Sequence, residues 1–409
     1  MNPTPHLDRH AIVYFGNDWF GENRTSSHHI ARRLGQRYRV LYVETPGLRA
    51  PEASARDFAK LRRKLARTFD APRPIGPTMW HLTMPQIPYR NAPGVAAFNR
   101  WFGRTMIRRA VAALGLDRIV TWFVVPHPGY LAGQCGESMS VFYAVDDYSA
   151  LPGVDGAQVG RMDAELTRRA DLVFGVSPAI CEAKRGLNPH TVFSPHGVDA
   201  ELFGRAADRS LPLPAPAQGL RSPVVGFFGV LDQRFDASLI DFLARQRPAW
   251  TFLLVGRVVA DATSLAGLPN VVMAGSVPYE TVPDWARAFD ICLMPYRQDA
   301  FSRSANPLKM REYLATGRAV VSVPLPEVER FGGGVVLARN HQEFLDQLEK
   351  ELREDSAEKR AARIASVAPM TWEARVEEVV AEAERRLSEL IAGRRGPARD
   401  TPPEGARAS

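Results

Sequence analysis

The 409-residue chain lacks the features of a membrane-spanning or disulfide-stabilised protein. Its three cysteines, Cys135, Cys181 and Cys292, are far apart and fit neither a zinc-ligand spacing nor a disulfide framework, which favours a reducing compartment. The longest apolar stretch, 119–125, ends at Pro126 and is far shorter than the ~18 residues of a membrane span. The first residues contain no apolar signal core. These absences predict a cytoplasmic protein.

Several motifs of nucleotide and hydrolytic chemistry are also missing. The sequence has neither a Gly-x-x-x-x-Gly-Lys-Ser/Thr phosphate loop nor a Gly-x-Gly-x-x-Gly dinucleotide fingerprint. It contains no Asp-x-Asp metal clamp, no His-Glu-x-x-His zinc motif and no Gly-x-Ser-x-Gly nucleophile elbow. We therefore expect no cofactor and no bound metal.

The charge balance is positive, with 52 Lys and Arg against 45 Asp and Glu, which suggests an anionic partner. Most aromatic residues lie in apparent strands rather than in basic stretches, so we expect no nucleic acid. Much of the excess charge falls in the segment Arg56–Arg67, where apolar residues recur at helical spacing. Two interpretations stay open: a basic amphipathic helix on an acidic membrane surface, or a solvated helix with its apolar edge on the core.

Short apolar runs alternate with helical segments, and this pattern occurs twice, before and after a proline-rich stretch. Continuous apolar runs are typical of parallel strands covered on both faces. We therefore predict an α/β fold of two facing, doubly wound Rossmann-like domains, with ligands in the cleft at the carboxyl ends of the strands. The predicted parts are an N-terminal Rossmann-like domain (1–209), a linker (210–222), a C-terminal Rossmann-like domain (223–370), a C-terminal helix (371–392) and a disordered tail (393–409).

The strongest local pattern runs from Ser304 to Ser322. Asn306 is a favourable N-cap, Pro307 suits the first helical position, and Gly317 suits the turn that ends a helix. The pattern predicts a short helix that begins in the loop after the strand Ile291–Met294. The N-terminus of such a helix offers N–H groups and a partial positive charge to an anion.

Lys309 and Glu312 share a face of this predicted helix because they are three residues apart. A cation can balance a phosphate charge while a carboxylate accepts hydrogen bonds from the two ribose hydroxyls. The pair therefore suits a nucleotide diphosphate sugar, although a surface ion pair is the commoner role of such residues.

The stretch Asn-Pro-Leu-Lys-x-x-Glu-Tyr-Leu-Ala-x-Gly resembles GT-B fold glycosyltransferases of the family 4 type, and the resemblance covers most of the chain. The sequence is most similar to the bacterial group associated with teichuronic acid and other surface polysaccharides. Its donor stretch also resembles that of xanthan-type glucuronosyltransferases. The further stretches that carry the resemblance are 170–177, 195–199, 226–229, 269–271 and 289–296.

The resemblance implies that Lys309 and Glu312 contact the sugar nucleotide. We assign the donor site to Gly229, Arg234, Tyr296, Asn306, Leu308, Lys309 and Glu312. Three positions depart from the family: Ser304 replaces the usual glutamate, Val230 the usual arginine and Asp236 the usual lysine. Arg234 is the natural substitute for the missing phosphate charge, and Arg257 is a second candidate.

Asp146 and Asp147 follow the predicted strand Val141–Val145 directly. Neighbouring carboxylates raise the pKa of one of them, which suits a general base. Asp146 matches the position at which the related families place a catalytic or acceptor-facing group, so we assign it as the base that deprotonates the acceptor hydroxyl. The alternative is that Asp147 caps the following turn and Asp146 accepts backbone amides.

The remaining acceptor-side candidates come from three loops. Gly16 and Asn17 belong to the first loop, and the resemblance implies that this is the acceptor-side glycine loop. His28 and His29 lie at a predicted helix start, and His127 lies between two prolines after a strand. We assign Gly16, Asn17, His28, His127 and Asp147 to the acceptor side, with helix-start packing as the alternative for the histidine pair.

The pattern as a whole predicts a metal-independent glycosyltransferase of the hexosyltransferase type. It would move a sugar from a nucleotide diphosphate sugar to a hydroxyl of a glycan or lipid-linked acceptor in surface polysaccharide biosynthesis. The alternatives are a GT-B fold sugar-nucleotide epimerase and a catalytically inactive scaffold of a polysaccharide assembly complex. Family 4 is generally retaining and the xanthan type inverting, so the stereochemistry stays open. A lipid-linked acceptor would place the protein on the inner face of the cell membrane, held there through Arg56–Arg67.

Overall fold

The computed structural model describes residues 6–21, 24–48, 71–87 and 93–395. The predicted basic segment Arg56–Arg67 and residues 396–409 lie outside these ranges. Within the described ranges the strands form two sheets, one in each half of the chain, as the repeated sequence pattern predicts.

The N-terminal sheet has eight strands in the order β3-β4-β2-β1-β5-β6-β7-β8, and all neighbours are parallel except β3 and β4. The central strands are fully buried because helices cover both faces, which explains their continuous apolar sequence. The strands are β1 (Ala11–Gly16), β2 (Val40–Glu44), β3 (Arg73–Pro74), β4 (Met79–Thr83), β5 (Ile119–Phe123), β6 (Met139–Ala144), β7 (Leu172–Gly175) and β8 (Thr191–Phe193).

Two strands of this sheet, β3 and β8, were not predicted from the sequence. β3 is a two-residue, exposed Arg-Pro pair, and β8 is a three-residue edge strand that is only partly buried. Neither contains a continuous apolar run of the kind on which the prediction depends.

The C-terminal sheet has six strands, all parallel, in the order β11-β10-β9-β12-β13-β14. The repeated pattern after the proline-rich stretch predicts strands in this half, and the predicted strand Ile291–Met294 has the bounds that were expected for it. The strands are β9 (Val224–Phe228), β10 (Thr251–Val255), β11 (Val271–Gly275), β12 (Ile291–Met294), β13 (Ala319–Ser322) and β14 (Val335–Leu337).

The helices lie between the strands and on both faces of the sheets. In the N-terminal half they are α1 (Ser26–Arg37), α2 (Val95–Ala113), α3 (Gly156–Arg169), α4 (Pro178–Arg185) and α5 (Ala200–Gly204). In the C-terminal half they are α6 (Ala237–Gln246), α7 (Val282–Ala286), α8 (Ala300–Ser304), α9 (Leu308–Ala315), α10 (Pro326–Phe331), α11 (His341–Glu354), α12 (Ala357–Val367) and α13 (Trp372–Arg395). In the described ranges no helix is long and apolar enough to cross a membrane.

The last helix, α13, returns to the N-terminal half and buries Trp372 and Leu387 in the core of that half. The chain crosses over beside Val198, whose N–H donates to Met370 O at 2.9 Å while Trp372 N–H donates to Val198 O at 3.2 Å. A side chain at Gly197 would come within 2.8 Å of the Trp372 backbone, so only glycine allows this approach. α13 runs to Arg395, and the prediction that the disordered tail begins at residue 393 is therefore wrong for its first three positions.

Candidate active site

A cavity of about 280 Å³ lies between the two halves, at the carboxyl ends of their strands. From the N-terminal half it is lined by Asn17, which follows β1, and by Asp146, which follows β6. We call these two residues the acceptor wall. From the C-terminal half it is lined by Arg234, Tyr296 and Lys309, which we call the donor wall. Sequence positions more than 200 residues apart thus face one space.

The donor wall includes the first turn of α9, where Leu308 and Lys309 border the cavity. The prediction that Asn306 caps this helix is wrong: Pro307 occupies the N-cap position, and no side chain caps it. The Asn306 amide instead donates to Val176 O at 2.7 Å, and its oxygen accepts from Arg311 at 2.7 Å. A hydrogen bond across the two halves thus takes the side chain that local propensity would use as a cap. Gly317, at φ +76°, ends the helix as predicted.

The Lys309 side chain packs beside two aromatic rings of the C-terminal half. Its Nζ lies 5.7 Å from the centre of the Phe227 ring and 5.8 Å from that of Tyr296. Gly229, at φ +131°, makes room for it because a side chain there would overlap the lysine Cε. Gly229 does not line the cavity itself, and its role is to let Lys309 pass.

Arg234 forms an ion pair with Asp232 at 2.6 Å, and its guanidinium carbon lies 4.7 Å from the centre of the Phe301 ring. Burial by itself would lower the pKa of Arg234, but the hydrogen bond and charge of Asp232 raise it above its usual value. The same pairing outweighs burial and lowers the pKa of Asp232. Arg234 is therefore a fixed, permanently charged cation beside the first turn of α9. Arg257, the other arginine candidate, is exposed and does not line the cavity.

The carboxyl of Asp146 faces the cavity, and burial raises its pKa to about 6, although the charge of Arg234 opposes the shift. One of its oxygens accepts the Asp147 N–H at 3.0 Å. Asp147 accepts the Ser149 N–H at 3.1 Å and so caps the next turn, as the structural alternative for this residue predicts. Only Asp146 of the two carboxylates lines the cavity.

Glu312 lies one turn along α9 from Leu308, outside the lining of the cavity. Burial raises its pKa to about 7, while the nearby charge of Lys309 lowers it. Its Oε1 accepts a hydrogen bond from the Tyr279 hydroxyl at 3.3 Å. Lys309 and Glu312 thus interact on one helix face as their spacing predicts.

Two of the three departures from the family pattern have structural roles. The Asp236 carboxylate accepts from the N–H groups of Ser238 and Leu239 and caps α6. Ser304 ends α8, where its carbonyl accepts the Ser177 hydroxyl at 3.2 Å, a contact between the two halves. The third, Val230, follows Gly229 directly and does not line the cavity.

The other acceptor-side candidates are engaged within the protein. His28 Nδ1 accepts the Thr25 N–H at 3.2 Å in a capping box, and its Nε2 lies 2.9 Å from Asp18 O, while burial lowers its pKa. His29 stacks on Trp372 at 4.8 Å. His127 is buried in the turn after β5, and Gly16 packs under the Tyr42 ring. None of these four residues lines the cavity.

Comparison with known proteins finds a family similarity within the C-terminal half. Residues 222–354 match the family model described as glycosyl transferases group 1. This part of the chain is therefore similar to group 1 glycosyltransferase domains. A stretch of 151 residues is 38% identical to the putative teichuronic acid biosynthesis glycosyltransferase TuaH of Bacillus subtilis. The match covers 34% of this chain and 36% of that relative, so the chain spans about a third of its length.

The solved structures extend the likeness to the whole fold. Sucrose-phosphate synthase from Thermosynechococcus elongatus superposes with a TM-score of 0.66 at 14% identity, over 94% of this chain and 100% of that one. A trehalose-6-phosphate structure from E. coli bound with UDP-2-fluoro glucose gives a TM-score of 0.64 at 12% identity, over 92% and 99% of the two chains. The fold is GT-B, as the sequence predicts.

Sequence reasoning missed several residues of the GT-B cleft. His196, Tyr148 and Thr25 all line the cavity. His196 lies in the stretch 195–199 that carries the family resemblance, which was a usable signal, whereas Tyr148 and Thr25 belong to loops without a motif. Across the described residues, no group of three or more His, Cys, Asp or Glu side chains could hold a metal ion.

Proposed function

We propose that this protein transfers a sugar from a nucleotide diphosphate sugar to a hydroxyl of a glycan or lipid-linked acceptor in surface polysaccharide biosynthesis. The observation that carries the proposal is the cleft itself, where the Asp146 carboxylate faces Arg234, Lys309 and the N-terminus of α9. The similarity of residues 222–354 to group 1 glycosyltransferase domains and the likeness to TuaH support it.

The donor wall suits a leaving diphosphate. Two fixed cations and the N–H groups at the first turn of α9 would balance the charge that grows on the phosphate oxygen as its bond to the sugar carbon breaks. Glu312, one turn further along, would accept the ribose hydroxyls of the nucleotide. We propose that no metal takes part and that the transferred group is a hexose.

The acceptor wall suits a proton transfer. Asp146 would accept the proton of the acceptor hydroxyl as its oxygen bonds to the sugar carbon, and a pKa near 6 leaves the carboxylate ionised at neutral pH. Closure of the cleft would exclude water, which would otherwise accept the sugar.

Nucleotide binding tests the donor wall directly. Thermal shifts of the full chain with UDP, GDP, ADP and TDP should single out one nucleotide, because a ligand that binds only the folded state raises the melting temperature. Lys309→Ala should remove that shift, and Lys350→Ala, an exposed lysine on α11, should keep it. If every nucleotide leaves the melting temperature unchanged, the donor-site assignment fails.

We further propose that the acceptor side meets a membrane surface. Phe98 and Trp101, near the start of α2, are 46% and 58% exposed, and Arg100 and Arg108 on the same helix are also exposed. Exposed aromatics beside cations are typical of helices that rest on anionic lipid. A lipid-linked acceptor would then be presented beside the cleft.

Flotation with vesicles of anionic and of neutral lipid tests this surface. The full chain should bind anionic vesicles, and Phe98→Ser with Trp101→Ser should reduce binding severalfold. Charge reversal at Lys60, Arg63 and Arg67 tests the predicted basic segment separately. Equal binding by all these variants and the unchanged protein would rule out both surfaces.

A further inference from the structure

A second cavity, of about 320 Å³, lies on the other side of His196 from the candidate active site. Its lining includes Phe193 and His196 from the N-terminal half and Arg375 from α13. Arg311 on α9 and Arg330 on α10 complete its cationic lining from the C-terminal half. We call it the arginine cavity. It lies between the two halves, but the mechanism proposed above uses none of its arginines.

The three arginines of the lining, Arg311, Arg330 and Arg375, have fewer carboxylates near them than their charges need for pairing. Glu327 is the one acidic residue of the lining, and both of its oxygens are paired with Arg330, at 3.2 and 2.8 Å. Arg311 is 3% exposed and makes its one hydrogen bond, through Nη1, with the neutral amide of Asn306. Arg375 pairs with Glu378, which is 61% exposed and lies on the solvent side. A buried guanidinium without a matching anion is costly.

Three buried nitrogen atoms belong to residues that line this cavity and have no hydrogen-bond partner in the part of the chain that the structure describes. Among the described residues, the Nε atoms of Arg311 and Arg375 and the Nδ1 atom of His196 are buried without a hydrogen bond. His196 is 4% exposed. Buried polar atoms in native proteins are nearly always satisfied, and a guanidinium nitrogen can only donate, so the two arginine atoms indicate a missing acceptor.

The charges of the cluster influence one another. Burial lowers the pKa of Arg311 to about 10, and the neighbouring Arg375 and Arg330 add to the shift against the opposing charge of Glu327. Burial also lowers the pKa of His196 to about 3, with Arg311 and Arg375 contributing. An anion bound in this cavity would offset the repulsion between the positive charges, which contributes to both pKa shifts.

A cavity of about 320 Å³ leaves room for an oxyanion. The Arg330 guanidinium carbon lies 4.8 Å from the centre of the Phe193 ring, so residues of the two halves are in contact at the cavity lining. Guanidinium groups bind phosphate through paired N–H donors, and their planar shape favours tetrahedral oxyanions over chloride.

We infer that the arginine cavity is a second anion site that binds the phosphate group of a small molecule, separate from the nucleotide sugar in the active-site cleft. The ligand would accept hydrogen bonds from Arg311 and Arg375 and would contact both halves of the protein. Its source is either inorganic phosphate or a phosphate monoester, and the chemistry of recognition is the same for both.

Titration of the full chain followed by ³¹P NMR tests this site, with inorganic phosphate and glucose 6-phosphate as the two probes at constant ionic strength. Arg375→Gln should raise the dissociation constant at least about tenfold, because it removes a charged donor to the anion. Arg330→Gln should have a similar effect, because it leaves the Glu327 carboxylate without its cation beside the bound anion. Arg330 is 46% exposed, so its variant should fold even if the more buried Arg375 proves sensitive. The matched control is Arg385→Gln, an exposed arginine of α13 outside the cavity, which should bind as the unchanged chain does.

Lys309→Ala distinguishes phosphate binding in the arginine cavity from phosphate binding at the donor wall. Phosphate binding that persists in Lys309→Ala and weakens in Arg330→Gln supports the second site, and the tighter of the two probes identifies its source. Phosphate binding that disappears in Lys309→Ala and is unchanged in both arginine variants would place the anion in the active-site cleft and overturn the inference. Absence of binding by either probe would overturn it as well.

Discussion

The two walls of the active-site cleft are built in different ways. The donor wall holds its cations by local pairing: Arg234 binds Asp232 two residues away, and Lys309 lies over the aromatic rings of Phe227 and Tyr296. The acceptor wall offers one ionisable carboxyl, Asp146, while the neighbouring histidines His28 and His29 are engaged in capping and stacking. Permanent charge is thus concentrated on one side and a titratable proton acceptor on the other.

The proposed function gives this difference a physical reason. A diphosphate would carry its charge throughout the proposed reaction, so fixed cations on rigid elements suit it. A hydroxyl must lose a proton only during transfer, so its partner needs a pKa near the working pH. The following predictions test whether the two walls divide the work in this way, from the largest expected effect to the smallest.

Removal of the Lys309 charge should have the largest effect. We expect Lys309→Ala to lower kcat/KM by about a thousandfold, because a partly buried cation that faces a diphosphate contributes several kcal/mol. Steady-state kinetics with nucleotide sugar measure it. Lys309→Arg, which keeps the charge but not the shape, should recover part of the loss, and a full recovery by Lys309→Met would contradict an electrostatic role.

Asp146→Asn should separate activity from stability. As a base, Asp146 must be ionised, so kcat/KM of the unchanged enzyme should fall about tenfold per pH unit below pH 6. Asp146→Asn should cost at least a hundredfold in kcat at neutral pH and should abolish this acid limb. An unchanged pH profile in the variant would assign the proton to another acceptor, such as the leaving diphosphate.

Asp146→Asn should lower activity but raise the free energy of unfolding. The folded-state pKa of Asp146 is raised from 3.8 to about 6, so its ionisation above that pH opposes folding. Asp146→Asn should therefore stabilise the protein at pH 8 by at most about 3 kcal/mol, and the gain should vanish below pH 4. Denaturant unfolding at the two pH values measures it, with Asp346→Asn on the exposed face of α11 as the control.

Arg234→Lys should show whether the donor wall needs a planar cation. Lysine keeps the charge but loses the paired hydrogen bonds to Asp232 and the stacking on Phe301, so we expect about tenfold weaker nucleotide binding. Isothermal titration checks this, and Arg257→Lys, an exposed arginine outside the cavity, should bind normally. Equal nucleotide affinities for the two variants would show that Arg234 contributes only its positive charge and not its planar shape.

His28→Ala should have the smallest functional effect. Loss of its capping-box contact with Thr25 should cost about 1 kcal/mol of unfolding free energy and leave nucleotide affinity unchanged. Thermal unfolding and nucleotide titration of the same sample test both parts. A large loss of acceptor affinity without a change in stability would restore His28 to the acceptor site.

The helix that brings Lys309 to the donor wall was predictable because the pattern that marks it is short-range. Lys309 and Glu312 are three residues apart on this helix, and the local sequence of strand, loop and helix was enough to place them on one face. The prediction for Asn306 was wrong because a contact with Val176, 130 residues away, outweighed the local preference for capping. The acceptor wall was harder to predict, since a buried histidine in a capping box and a histidine in a cleft look alike in sequence.

Hydrophobic periodicity alone determined the two α/β halves and the continuous apolar runs of their buried strands. These features depend on neighbours within one strand or one turn, and the sequence records them directly. Only the tertiary structure decided that α13 returns to the N-terminal half, that Asp146 faces Arg234, and that three arginines from α9, α10 and α13 surround one cavity. Each of these depends on how separate elements pack, and packing is set by the shape and charge of surfaces that meet only after the chain has folded.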